Sequence, residues 1–416
     1  MTEGAEAEPA VPPVEPLAIP PAAKLRREHL LVAGCLLFVA FNLRTAIASP
    51  SPVLPEIRHS DGLSAPVAGL LTTLPLLCFG LVSPLAPALV RRAGVRRVLL
   101  YALCGVTIGI SLRSVPPTAM LFIGTLVLGA SIAVLNVQMP GIVKSRFEAR
   151  TGLATGLYTG LINVGTAVSA GLTVPLTRAM GGSWRLAIGV WAVLVIGALA
   201  LWTRAGSIVV PDAPAVEPSP APRVWTSRIA WWITGYMGLQ SLNYFSVLAW
   251  LPTILRDRGL SASAAGGVLS LVGVVAIPAA ILAPVVANRR GNLRVAITGS
   301  TAATALGLLG LLVGAHGLEI LSATVLAVGS GSSLSLALVL MVVRSEDSAH
   351  ALAISGMAQG LGYLLASIGP TAVGAIEVAT RGWSAPLGFL VAVAGVCWMA
   401  GWAAAADRPM GKARQS

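Results

Sequence analysis

The chain has 416 residues, of which 56% are hydrophobic and 11% charged, and its mean hydropathy is +0.83. That balance leaves too few polar residues to coat a water-soluble globule, so a soluble enzyme or binding domain is excluded. The net charge of +12 comes from arginines dispersed over separate short segments with no single patch, which argues against a nucleic-acid partner.

Residues 1–29 are acidic and proline-rich, beginning "MTEGAEAEPAVPPVEPLAIPP", with no basic region ahead of a short apolar core and no small-residue cleavage pattern. They read as a disordered cytoplasmic tail and not as a signal peptide. Apolar runs of about 20 residues, enough for a helix to cross roughly 30 Å of hydrocarbon, then recur along the chain. They lie at 30–50, 65–89, 97–114, 118–141, 152–176, 184–203, 228–251, 263–287, 294–314, 318–341, 351–373 and 384–405. The expected fold class is therefore an all-α membrane protein with twelve transmembrane helices and both termini on one side. Twenty Lys and Arg fall on the side of the termini, seven on the other, and Arg44 inside a span. Because cytoplasmic loops retain basic residues, the pattern predicts a multi-pass protein of the cell inner membrane with both termini cytoplasmic. Cys35, Cys78, Cys104 and Cys397 sit in apolar spans without CxxC spacing and read as small hydrophobes, not as disulfide or zinc ligands.

Between spans six and seven, residues 204–227, "RAGSIVVPDAPAVEPSPAPRVWTS", are too rich in Pro and Ala to hold a core and read as a cytoplasmic linker. The linker divides an N-terminal bundle, 30–203, from a C-terminal bundle, 228–405, which a cytoplasmic tail, 406–416, follows. The halves are copies: "LPEIRHSDGLSAPVAG" at 54–69 lies over "LPTILRDRGLSASAAG" at 251–266, and 17 of 45 positions match between Leu54–Val98 and the segment 197 residues later. Pro55 with Pro252, Gly62 with Gly259, Gly94 with Gly291 and Arg97 with Arg294 all stay in phase, which shared low complexity does not produce. Two similar halves can rock about a site trapped between them, which is the architecture of a transporter. Six spans per half, the long linker and the basic loops after spans two and eight resemble the major facilitator superfamily, and the resemblance implies two pseudo-symmetric six-helix bundles. "LVRRAGVRRVLL" is similar to that superfamily's loop motif, which makes Arg92, Gly94 and Arg97, with Arg289, Gly291 and Arg294 in the second half, the candidate gating residues. It departs from the motif in having Arg91 where many members carry Asp.

Arg44 interrupts "LLVAGCLLFVAFNLRTAIASPSPVLPEI", while no carboxylate lies in the middle of any span. An arginine at a helix centre costs about 2.5–3.5 kcal/mol on insertion scales. Three readings account for it. It faces lipid and reaches outward over about 9 Å, it binds carbonyls of a neighbouring span, or it supplies the positive end of an anion site in a wet cavity. Polar residues at helical spacing favour the cavity: Tyr236, Gln240, Asn243 and Tyr244 in span seven, Ser355, Gln359 and Tyr363 in span eleven, Asn136 and Gln138 in span four, Tyr158 and Asn163 in span five. Any one of these amides also serves as an ordinary interhelical hydrogen bond. "FNLRTAIASPSPVLPEI" and "SGMAQGLGYLLASIGP" are similar to the first- and eleventh-helix signatures of the superfamily's cyanate transporter and nitroimidazole exporter branch. That resemblance implicates Asn42, Arg44, Gln359 and Tyr363, and the candidate substrate site is these four with Tyr158, Gln240, Asn243 and Tyr244.

No phosphate-binding loop, nucleophile elbow or HExxH helix occurs, so no enzymatic activity and no cofactor are expected. The expected partners are a small-molecule solute and the lipid bilayer, and the resemblance implies a functional monomer. The leading expectation is a secondary active or facilitative transporter of a small anion such as cyanate or a carboxylate. Efflux of small drug-like compounds such as nitroimidazoles is the alternative, and a polytopic membrane sensor the alternative of another class. If a proton is coupled, Glu56 and Asp61 at the outer mouth are its candidate carriers, since the four histidines all lie at span ends.

Overall fold

The computed structural model describes residues 22–146, 151–209, 224–289, 293–314, 317–345 and 348–406, and among these it contains fifteen α-helices and no strand. The first half holds α1 (Ala22–Ala48), α2 (Leu54–Asp61), α3 (Ala65–Val82), α4 (Ala86–Ala93), α5 (Val95–Arg113), α6 (Thr118–Arg146), α7 (Thr151–Ala179), α8 (Trp184–Gly189) and α9 (Trp191–Val209). The second holds α10 (Arg228–Asp257), α11 (Ala262–Arg289), α12 (Leu293–Val313), α13 (Glu319–Val343), α14 (Ser348–Thr380) and α15 (Ser384–Ala404). The twelve long helices fall on the twelve predicted spans, six per half, and the short α2, α4 and α8 lie at their ends. We call the face where α1 begins and α15 ends the terminal face, and the other the distal face.

Several boundaries differ from the sequence reading for identifiable reasons. The helix α1 starts at Ala22, ahead of the predicted span, because "AAKLRREH" is made of strong helix formers and follows two prolines that cannot sit in a helix interior. Residues 1–21 of the predicted tail, 210–223 of the predicted linker and 407–416 of the C-terminal tail lie outside the described residues. The predicted span 65–89 is broken at a 3-10 turn, Ser83–Leu85, where Pro84 removes a backbone donor.

Among the described residues, eleven helices are long and apolar enough to cross a membrane by themselves. The twelfth, α10, has 30 residues but a lower mean hydropathy, and 21 of those residues are buried. A helix enclosed by protein on most sides is released from the need to be apolar all round, and α10 uses that freedom to carry Gln240, Ser241, Asn243 and Tyr244.

The two halves repeat each other in detail. At the distal face Trp184 Nε1 donates to Ser60 Oγ at 2.9 Å, and its repeat mate Trp383 donates to Asp257 Oδ2 at 2.8 Å. In the first half α5 packs on α6 so closely that a Cβ at Gly109 would lie 2.7 Å from the Gly124 carbonyl oxygen. In the second, α12 packs on α13, and a Cβ at Gly307 would lie 2.6 Å from the Leu326 amide. The seam between the halves is reciprocal: α3 lies along α14, and α7 along α11. Arg113, which the sequence counts at the distal end of the span 97–114 among the seven basic residues of that side, is 3% exposed and donates Nη1 to the Ala46 carbonyl at 2.7 Å. A cation there satisfies an orphan carbonyl in the last turn of α1 and complements that helix's dipole.

Candidate functional site

Arg44 leaves α1 toward the seam, not toward lipid. Its guanidinium carbon lies over two rings of α10, 4.7 Å from the Phe245 centroid and 5.5 Å from that of Tyr244. Ring faces carry negative quadrupole charge, so both contacts stabilise the cation. The rings continue as a chain of edge-to-face contacts across three helices. Tyr244 meets Phe245 at 5.1 Å, Phe245 meets Tyr363 of α14 at 6.4 Å, and Tyr363 meets Phe79 of α3 at 5.3 Å. Tyr158, from α7, is buried in the core against which Tyr244 and Tyr363 pack. Two of the chain's five tyrosines, Tyr244 and Tyr363, thus belong to the ring chain on which the guanidinium lies.

Arg44 Nη1 is buried without a hydrogen-bond partner. The carbonyl-binding role considered for Arg44 belongs to Arg113 instead, and the lipid-facing reading fails because the head group is enclosed by rings from the opposite half. A guanidinium held against ring faces keeps its N–H donors at its edge, where they can meet an acceptor.

The other candidates fall into two groups. Gln240 and Asn243 line a narrow cavity of about 10 Å³, room for about one water, within the second half, bounded by α10, α12, α13 and α15, together with Tyr244, Thr301, Thr304 and Ser330. The Asn243 Oδ1 there is buried and unpartnered, and Gln240 Nε2 donates to Ser241 Oγ at 2.7 Å. A second cavity, also of about 10 Å³, lies at the seam between Asn163, Thr166, Tyr244 and Ser330, so Tyr244 forms a wall of both. Asn42 and Gln359 are engaged on their own helices: Asn42 Nδ2 donates to the Phe38 carbonyl at 2.8 Å, and Gln359 Nε2 to Ser355 Oγ at 2.8 Å. Tyr236, on the same predicted face as Gln240, packs instead into the core of the second half against Ile297 and Gly401. The geometry therefore joins Arg44, Tyr244 and Tyr363, keeps Tyr158 in the core beside them, and sets Gln240 and Asn243 behind Tyr244. Phe79 and Phe245 are additions; in a sequence they look like ordinary apolar core, and the one signal was Phe245 following Tyr244 directly.

At the distal face the halves are tied together. Glu56 accepts from Arg256 Nη1 at 2.7 and 2.8 Å, and Arg58 lies over the ring of Trp250 at 5.9 Å, a ring held within the second half by its Nε1 bond to the Pro370 carbonyl at 2.8 Å. Asp61, in contrast, pairs within its own half, with Arg185 at 2.7 Å and Thr118 at 2.9 Å. Both carboxylates considered as proton carriers are thus held by cations. At the terminal face Gly94 turns the chain between α4 and α5 at φ +79°, Arg92 and Arg97 are exposed, and Arg294 lies over the Trp402 ring at 4.9 Å. Gly291 and the Arg289 side chain lie outside the described residues.

Known proteins with related sequences are transporters. The Bacillus subtilis (strain 168) protein called uncharacterized transporter YycB is 38% identical over 395 residues, spanning 93% of this chain and 96% of that one. An Escherichia coli (strain K12) 2-nitroimidazole transporter is 34% identical, over 88% of this chain and 95% of its own. The cyanate transport protein CynX of the same organism is 29% identical, over 80% and 87%. In shape, the inward-facing, unoccupied crystal structure of a bacterial homolog to the human lysosomal transporter Spinster matches with a TM-score of 0.71 over 92% of this chain and 98% of that one. At 12% identity this match bears on the fold alone. Residues 36–367 match the family described as Major Facilitator Superfamily. With its paired bundles and seam-buried arginine, the chain belongs to the major facilitator superfamily and is a membrane transporter of that kind.

Proposed function

We propose that this transporter moves a small anion, such as cyanate or a carboxylate, across the inner membrane by alternating access, with Arg44 as the anchor for the negative charge. The observation that carries this reading is the buried, unpaired Nη1 of a guanidinium that lies against two rings at the seam. An ionised acceptor placed at that edge gains charge-assisted hydrogen bonds, and the tyrosine hydroxyls of Tyr158, Tyr244 and Tyr363 supply further neutral donors around it. Gln240 and Asn243 would contact the part of the solute that reaches past Tyr244. Asn42 and Gln359 would turn from their own helices when a solute offers better partners. The distal-face contacts of Glu56, Arg58 and Trp250 would part, and the terminal-face residues Arg92, Gly94, Arg97, Arg289, Gly291 and Arg294 close, as the halves rock.

A second reading, efflux of a small nitro-heterocycle, is favoured by a specific feature: the chain of four rings from Phe79 to Tyr244 offers flat apolar faces that suit an aromatic solute. Nitro oxygens would then take the place of the carboxylate at Arg44.

Counterflow in proteoliposomes with labelled cyanate, acetate and 2-nitroimidazole separates these. Two charge-assisted hydrogen bonds are worth about 1.5–3 kcal/mol each, so Arg44→Ala is expected to lower anion counterflow by about 100-fold or more. Anion counterflow undiminished in Arg44→Ala would sink the proposal; anion counterflow absent in the wild type, with 2-nitroimidazole carried, would select the second reading.

A further inference from the structure

A groove of about 580 Å³ lies at the terminal-face end of the first half, far along the chain from Arg44 and walled by Gly94, Arg96, Arg97, Leu100, Trp202 and Thr203. The sequence "VRRAGVRRV" puts four arginines into this corner, and Arg91, Arg92, Arg96 and Arg97 are all exposed, with no acidic partner among the described residues. The wall that carries them is fixed. Trp202 is 1% exposed and its Nε1 donates to the Arg96 carbonyl at 3.2 Å. The membrane span of α5 begins at Val95, so the groove opens at the depth where hydrocarbon gives way to head groups. Nearby in the sequence, before and within α4 and in α5, the apolar side chains of Leu85, Leu89 and Tyr101 are exposed. In the second half the same corner is already satisfied: Arg294, the repeat mate of Arg97, lies on the face of Trp402.

We infer that this groove binds the phosphate of an anionic phospholipid, with Arg96 and Arg97 on the phosphate oxygens and the acyl chains running down past Leu100. Guanidinium is suited to the task because its planar fork matches phosphate oxygens and it stays charged. The groove opens at head-group depth, where phospholipid phosphate is the anion at the highest local concentration, which is why the lipid is the assigned source. The assignment is independent of what Arg44 binds.

The test uses the full-length protein, released from mixed micelles into native mass spectrometry and unfolded thermally with phosphatidylglycerol or phosphatidylcholine added. Each arginine near an anionic surface contributes about 1 kcal/mol, so two together predict a preference for phosphatidylglycerol of about ten-fold or more. Arg96→Gln with Arg97→Gln should bring that preference down to about two-fold. Arg91→Gln with Arg92→Gln, which removes equal charge outside the groove wall, should leave most of it. The proposal is overturned if the first pair keeps the wild-type preference, or if both pairs lose it equally, which would mean diffuse charge alone. It is also overturned if millimolar inorganic phosphate displaces the lipid and stabilises the protein as well as phosphatidylglycerol does, which would make the site one for a soluble anion.

Discussion

The two halves share one plan and divide one task unequally. The first half supplies the cation, Arg44, and a single ring of the cluster, Phe79. The second supplies Tyr244, Phe245 and Tyr363, and behind them a polar interior lined by Gln240, Asn243, Thr301 and Thr304. Where repeat mates do structural work, as Trp184 and Trp383 do, they keep the same job. Where they face the seam or the membrane surface they diverge. Duplication thus preserves the packing inside each bundle and leaves the surfaces between them free to specialise.

The strongest way to break this comparison is to attack the shared packing. Gly109→Leu and Gly307→Leu each push a side chain into a facing backbone, and overpacking of that kind costs about 3 kcal/mol or more when the backbone cannot retreat. Both are expected to lower folded yield and thermal midpoint to a similar extent; a large loss in only one half would deny that the bundles are built alike. Next in size is the divided seam. Phe245→Ala removes one ring face from Arg44 and leaves a void, and is expected to cut solute counterflow by about 10–100-fold. Arg44→Lys keeps the charge but not the fork and should fall between wild type and Arg44→Ala. Equal activity of lysine and arginine there would mean that charge alone suffices.

How far the sequence goes is plain in particular residues. The spans and the repeat are legible because a hydrocarbon solvent writes itself directly into composition, and because Pro, Gly and Arg recur in phase. α10 was legible in length while its enclosure was not, since a helix wrapped by protein and one bathed in lipid differ only in a few polar side chains. The repeat reveals that α3 and α11 are equivalent, but not that α3 lies along α14, because equivalence is a relation of sequence and contact one of space. Arg113 sits at a span end like any loop arginine, and its burial depends on where the end of α1 arrives. Phe79 and Phe245 carried no polar mark at all.

Smaller effects sharpen the contrast between ties across the seam and ties within a half. The Glu56–Arg256 pair is partly exposed, at 34% and 24%, so it is worth about 1 kcal/mol or less. Glu56→Gln is expected to shift the balance between open faces by no more than about five-fold, read as faster thiol labelling of a cysteine placed at Ser49 on the distal side of the seam. Asp61→Asn breaks a pair within one half and should leave that labelling rate unchanged, while lowering the thermal midpoint. The least effect is expected from Trp402→Leu, which frees Arg294 from its ring. It should add weak phosphatidylglycerol retention to the second half, about two-fold, if the satisfied corner is what keeps lipid away there.

Arg44 has one more bearing on how such a carrier runs. With an anionic solute seated, as proposed, the seam holds a neutral pair while the bundles swing. With none, a bare positive charge has to ride through the same low-dielectric passage, and that return leg is the dearer one. A device arranged in this way trades solute for solute faster than it delivers a net load, and its empty stroke, not its full one, answers to membrane voltage.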